Sequence, residues 1–202
     1  MIIESPDQLG GILGNPHPAL EKKIYKYLNP RMQRFIEHAP LLFMSTVDED
    51  GFPTISPKGD HPGFVKVENN TSLVIPERKG NKLAYSFRNI LSGSKVALLF
   101  IVPGTNEVLR VHGEAVLICD QELNKQLNSR NQDALMATRV SVVSSYFHCG
   151  KALLRSGLFS GETEYRDMDI SFGREMSENN AFDAAEAVEF DIGVKSRYKT
   201  DL

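Results

Sequence analysis

The sequence predicts a mainly β protein: a small six-stranded antiparallel barrel with flanking helices. Three observations predict it. Six strand-like runs fall between Leu41 and Ile118, tight turn signals separate them, and one helical segment interrupts them. Helical spacing is otherwise confined to the regions before and after.

In the leading region, Ser5-Pro6-Asp7 reads as an N-cap with proline in the first turn, opening a short helix that Gly10, Gly11 and Gly14 end. Pro18 to Leu28 carries Leu20, Ile24, Tyr25, Tyr27 and Leu28 at amphipathic spacing, so a second helix is expected there. Asn29-Pro30 repeats the cap signal for a helix with Met32, Phe35 and Ile36 on its apolar face, stopped by Pro40.

The period changes at Leu41. Leu41 to Val47 reads as a largely buried strand, Asp48-Glu49-Asp50-Gly51 as a hairpin turn, and Pro53 to Pro57 as its partner. Gly63 to Glu68 and Thr71 to Ile75 form a second hairpin about Asn69-Asn70. Lys95 to Val102 is a continuous apolar strand, turned by Pro103-Gly104-Thr105-Asn106 into a long strand from Glu107 to Ile118, with Gly113 as a bulge or bend. Beyond Asp120, a capping residue, Glu122 to Leu135 is expected to be helical. Val140 to Val143 can form a short last strand, and Tyr146 to Leu154 a helix. The segment from Ser160 is acidic and poor in large apolar residues, though Phe182, Ala185, Val188 and Ile192 keep rough helical spacing.

At 202 residues the chain is long enough for one domain with a sizeable core. Hydrophobic residues make 41% and charged residues 24%, and the net charge of -3 offers no general attraction to nucleic acid or anionic membranes. Basic loops, where they occur, are therefore local sites. Cys119 and Cys149 are the two cysteines, too few for a disulfide framework or a structural zinc site, and no metal site is expected. The N-terminus lacks a charged-then-apolar leader and no run approaches transmembrane length, so a cytoplasmic location is the expectation.

The chemistry concentrates in Pro76-Glu77-Arg78-Lys79-Gly80-Asn81-Lys82, between the run Ser72 to Ile75 and a helical segment from Leu83 to Ile90. Three cations within five residues at a strand-to-helix turn suit a phosphate, because helix-start N–H groups converge there and arginine can grip two oxygens. A solvated charged turn is the plainer alternative.

The order of these pieces carries a resemblance. Asp50-Gly51-Phe52-Pro53, then Arg78-Lys79-Gly80 followed by Leu83, then Asn89 ahead of Val96 to Phe100, then Leu109-Arg110-Val111-His112-Gly113-Glu114-Ala115 resemble, in sequence, the pyridoxamine 5′-phosphate oxidase-like family of FMN-binding split barrels. Ser56-Pro57-Lys58-Gly59-Asp60 and His148-Cys149-Gly150-Lys151 followed by Arg155 resemble a less characterised bacterial subgroup. The true oxidases carry a flavin-holding arginine on the second strand, about where this chain has Ser56. They also place substrate-phosphate ligands late in the chain, which find no match in this tail. The resemblance thus implies a flavin site without implying a vitamin substrate.

What the family implies for this chain is a six-stranded split β-barrel over residues 41–158, N-terminal helices over 1–40 packing on it, and a tail over 159–202 packing on the barrel or a second subunit. It further implies a homodimer with FMN at the interface. Arg78, Lys79 and Lys82 then hold the phosphate, with Asn81 on the phosphate or ribityl chain. Ser56, Pro57, Lys58 and Gly59 lie beside the ring, Lys58 stabilising negative charge on the reduced flavin or serving as a surface strand lysine. Arg110 fits the family pattern, or pairs with Glu107 or Glu114 across its hairpin. His148, Lys151 and Arg155 share one helix face that approaches the flavin across the interface, or form a solvent-facing basic stripe. Asp60, with His148 and Lys151, is a candidate for the substrate side, and no catalytic base is assigned, because the flavin ring carries the electrons.

The leading expectation is an FMN-dependent oxidoreductase acting on a small molecule. The alternatives are a flavin-storing or flavin-sensing protein, or a barrel that takes haem or a deazaflavin. Haem would need His17, His38, His61, His112 or His148 as an axial ligand, and a deazaflavin a longer basic groove than Arg78 to Lys82.

Overall fold

Seven antiparallel strands form one continuous sheet in the order β2-β1-β5-β6-β7-β4-β3 in the computed structural model, which describes residues 2–15, 17–160 and 170–201. The strands are β1 (Leu41–Val47), β2 (Pro53–Gly59), β3 (Lys66–Asn69), β4 (Ser72–Glu77), β5 (Lys95–Ile101), β6 (Glu107–Ile118) and β7 (Met136–Cys149). The helices are α1 (Pro6–Leu13), α2 (Pro30–His38), α3 (Tyr85–Gly93), α4 (Gln121–Gln126), α5 (Lys151–Ser156), α6 (Phe172–Glu178) and α7 (Ala184–Thr200).

The cap signals hold. Ser5 Oγ accepts from Gln8 N, Asn29 Oδ1 from Arg31 and Met32 N, and Asp120 Oδ1 from Leu123 N. In α1, however, Gly10 and Gly11 lie inside the helix and only Gly14, at φ 75°, ends it. The helix expected over Pro18–Leu28 is a 3-10 turn, Pro18–Lys23, after which Tyr25 exchanges backbone hydrogen bonds with Ser145. Pairing to β7 takes the place of a further helical turn.

The seventh strand is the main correction. In place of a short strand at Val140–Val143 and a helix over Tyr146–Leu154, residues 136–149 form one 14-residue strand. It pairs with β6 from Glu107↔Cys149 to Ile118↔Ala137 and with β4 from Ser72↔Ser141 to Glu77↔Met136. The β6 ladder follows the strand from Ala137 to Cys149 and the β4 ladder flanks residues 136–141 on the other side, which outweighs the helical spacing of a few side chains. The helix expected over Glu122–Leu135 is correspondingly short, ending at Gln126. Gly113 does mark a bulge: the β6–β7 register shifts after His112.

Alternation along the strands builds the core. Leu42 and Met44 of β1, Leu98 and Phe100 of β5, and Leu109 and Val111 of β6 point inward with Met32 and Ile36 of α2 and Ile90 of α3. Each such side chain contributes about 1.5–3 kcal/mol by burial. The opposite sheet face carries two cross-strand rows. One runs Pro57, Phe43, Leu99, Arg110, Tyr146, and the other Ile55, Ser45, Ala97, His112, Ser144.

α6 and α7 pack on each other. Asp191 accepts from Gly173 N at 2.8 Å and from Ser171 Oγ, and Phe182 lies 5.3 Å from Phe190. Residues 161–169, within the acidic stretch noted in the sequence, lie outside the described residues.

Candidate functional site

The strand order leaves β2 at one end of the sheet and β4 next to the other, with no backbone ladder between them. Side chains cross this seam instead. Lys58 Nζ of β2 lies 2.5 Å from Glu77 Oε2 of β4, and Arg78 Nε, one residue on, lies 3.1 Å from Asp60 Oδ2. Ser56 Oγ meets Ser86 Oγ of α3 at 2.8 Å.

Between these walls lies a cavity of about 510 Å³. That is within the usual size of small-molecule sites. Ser56, Pro57, Lys58 and Gly59 line one side, and Arg78, Lys79, Asn81 and Lys82 the other, so eight of the ten residues expected to hold a cofactor share one cavity. Asp60 lines it as well. Arg110, Arg155, His148 and Lys151 are not among the lining residues. Arg110 sits on the outer sheet face, its guanidinium 3.5 Å from the Tyr146 hydroxyl rather than paired with Glu107 or Glu114. His148 belongs to β7, opposite Val108, while Lys151 and Arg155 sit on α5, so the single helix face expected for the three does not form.

The basic loop is shaped by local chemistry. Asn81 Oδ1 accepts from Leu83 N at 3.1 Å, an Asx turn. Lys82 (φ 63°) and Ala84 (φ 58°) adopt the left-handed region that side chains disfavour by roughly 1–2 kcal/mol. α3 starts there with no side-chain cap, and its first-turn residues Tyr85, Ser86 and Phe87 line the cavity. A helix start left without a cap presents N–H groups and a positive dipole end. Lys79 and Lys82, both exposed, make no ion pair among the described residues.

Arg78 is held more firmly than its sequence context suggests. Besides Asp60 it donates to Leu127 O at 2.7 Å and Gln132 O at 3.4 Å. Asp60 in turn accepts from Ser129 Oγ at 2.7 Å and His61 N at 2.8 Å. Burial pushes the Asp60 carboxyl up, but the Ser129 and His61 hydrogen bonds and the Arg78 charge outweigh it and hold the group below its ordinary range. Asp60 therefore braces the basic loop through Arg78 while also lining the cavity.

Glu77 is the residue that sequence reasoning missed. It is 2% exposed, and Thr138 Oγ1 donates to its Oε1 at 2.7 Å while Lys58 takes Oε2. The Lys58 ammonium also lies 4.7 Å from the centre of the Phe87 ring. Adjacent to the cavity, Asn89 Nδ2 donates to Thr46 and Thr54, fixing α3 against β1 and β2.

Among the described residues no helix is long and apolar enough to cross a membrane. No curated protein matches the sequence. Among solved structures, a histidine-to-alanine variant of HupZ from Group A Streptococcus superposes with a TM-score of 0.50 at 18% identity, over 60% of this chain and 99% of that one, which shows a shared fold. A Clostridium acetobutylicum protein related to general stress protein 26, of the pyridoxinephosphate oxidase family, gives 0.44 at 12% identity, over 59% and 86%. An FMN-binding protein from Syntrophomonas wolfei gives 0.43 at 13%, over 58% and 88%. The family model described as pyridoxamine 5′-phosphate oxidase matches residues 28–149, more than half of the sequence and most of the barrel that carries the cavity. By that match the chain belongs to the pyridoxamine 5′-phosphate oxidase family.

Proposed function

We propose that the protein is an FMN-dependent oxidoreductase that works as a homodimer on a small molecule. One observation carries the reading: in a chain of this family, the Arg78–Lys82 loop, the uncapped start of α3 and the Lys58 strand line a single cavity. The residues fit the group. Lys79, Lys82 and the α3 N–H groups suit a dianionic phosphate, and Ser56, Asn81 and Ser86 offer polar atoms along a largely apolar wall. When bound, the flavin supplies hydride or electron transfer. The chain's part is to position it.

The outer sheet face supports the dimer. Ile55 is 68% exposed, Val47 47% and Val143 55%, and Phe43 and Leu99 are half-buried beside them. A second copy covering this face would bury that apolar surface, and the same contact would bring Arg110 and His112 toward a partner.

The test is the absorbance spectrum of the freshly purified protein, with identification of whatever heat releases. FMN at about one per chain, lost in Lys79→Ala/Lys82→Ala with the fold retained, is the expected result. A colourless protein that also refuses added FMN overturns the reading. Bound flavin that no nicotinamide or other reduced donor turns over would instead indicate a flavin carrier.

A further inference from the structure

The two ends of the cavity differ in charge. At the loop end, Asp60 offsets Arg78, but Lys79 and Lys82 remain without ion-pair partners among the described residues. At the β2 end, Lys58 is matched by Glu77, and this carboxylate is the more deeply buried of the two: their side chains are 15% and 3% exposed. Glu77 stands at the last position of β4, beside the chain reversal into the loop, and β7 fixes it from behind through Thr138. A lysine stem has four flexible carbons. What keeps this one inside the cavity wall is the carboxylate ahead of it and the Phe87 ring beside it.

We infer that Glu77 is a positioning residue: it holds the Lys58 ammonium at the β2 end of the cavity and cancels its charge there, so that a ligand's anionic group is directed to the loop end. The inference rests on the flavin reading above and deepens it. A dianion has a net positive harbour only at Lys79 and Lys82. The β2 end presents a fixed N–H donor with little net field, suited to the neutral carbonyl edge of an oxidised ring. Reduction adds negative charge to a flavin, and an unmatched lysine would favour that form, so Glu77 restrains the preference for reduced flavin. Its cost is that of a buried pair, which is severe to break from one side and slight to remove from both.

The test has two readouts. The first needs no flavin: acetylation of the full chain by acetic anhydride, followed site by site with mass spectrometry. Glu77→Gln should acetylate Lys58 at least tenfold faster than the unaltered protein, with Glu68→Gln, whose partner is Arg139, as the control that leaves Lys58 slow. Equal Lys58 rates in Glu77→Gln overturn the inference. The second is the ratio of FMN affinities, oxidised against dithionite-reduced. Glu77→Gln should move it at least tenfold toward the reduced form, equivalent to about 30 mV for a two-electron couple. Lys58→Met should move it the other way, and it reads the same coupling if Glu77→Gln does not fold. Loss of packing alone would not shift the ratio in opposite directions in the two variants. An unchanged ratio overturns the inference. A released Lys58 in a protein that never binds FMN keeps the positioning role of Glu77 and overturns the flavin reading instead.

Discussion

Arg78 and Asp60 meet at 3.1 Å across a seam where β2 and β4 share no backbone hydrogen bonds. The contact joins the end of the sheet to the loop that follows β4, and Ser129, Leu127 and Gln132 tie it to the segment before β7. Three stretches distant in sequence thus depend on one ion pair.

That dependence has a pH signature. The Asp60 carboxyl is held below its ordinary range, so its contribution to stability is fully present above the unfolded value of about 3.9 and is lost as pH falls through the lower, folded value. Asp60→Asn should lower stability by about 2 kcal/mol at neutral pH. In urea titrations, the gap between the two proteins should stay constant from pH 7 to about 5 and narrow below about 3.9. A gap that widens in acid would contradict the assignment.

The β-bulge makes a second prediction. A Cβ at Gly113 would lie 2.5 Å from both Ser141 O and Val140 Cγ1, too close for any side chain, and the backbone oxygen sits in the central β6–β7 ladder. Gly113→Ala should therefore cost about 3 kcal/mol and lower Tm by about 6–12 °C. Calorimetry checks it, and a shift under about 2 °C would mean that the strands part more readily than their register implies.

In the C-terminal hairpin, a Cβ at Gly173 would fall 2.0 Å from Ala187 O. Gly173→Ala should separate α6 from α7 and expose residues 170–201 to protease, while the barrel melts at its usual temperature. Limited proteolysis with mass mapping distinguishes this from uniform destabilisation.

Ala84 predicts a gain. Its φ of 58° is disfavoured with a side chain, and glycine removes that strain at some cost in unfolded-chain entropy. Ala84→Gly should add about 0.5–1 kcal/mol of stability in denaturant melts. A loss would show that the methyl group packs against the cavity wall.

Much of this architecture is legible in the sequence because it is locally encoded. Asn29 caps α2 through its own neighbours, Asp48 and Gly51 close a hairpin within a single turn, and the cations of the basic loop are adjacent. β7 is obscured because His148 at its end falls at helical spacing with Lys151 and Arg155 of the following α5, while the β6 and β4 ladders that decide its conformation come from far away. Glu77 is hidden for the same reason. Beside Arg78 and Lys79 it reads as one more charge in a polar turn, and only Thr138, 61 residues on, and Lys58, 19 residues back, make it a buried acid.

The seam between β2 and β4 bears on how such a barrel changes its occupant over evolutionary time. Walls joined by a ladder are spaced by the fixed repeat of paired strands. Here the spacing is set by the reach of two ion pairs, Lys58 with Glu77 and Arg78 with Asp60. Width and polarity can then drift by single side-chain replacements, each leaving every ladder intact, so descendants of one backbone can come to hold molecules of quite different bulk.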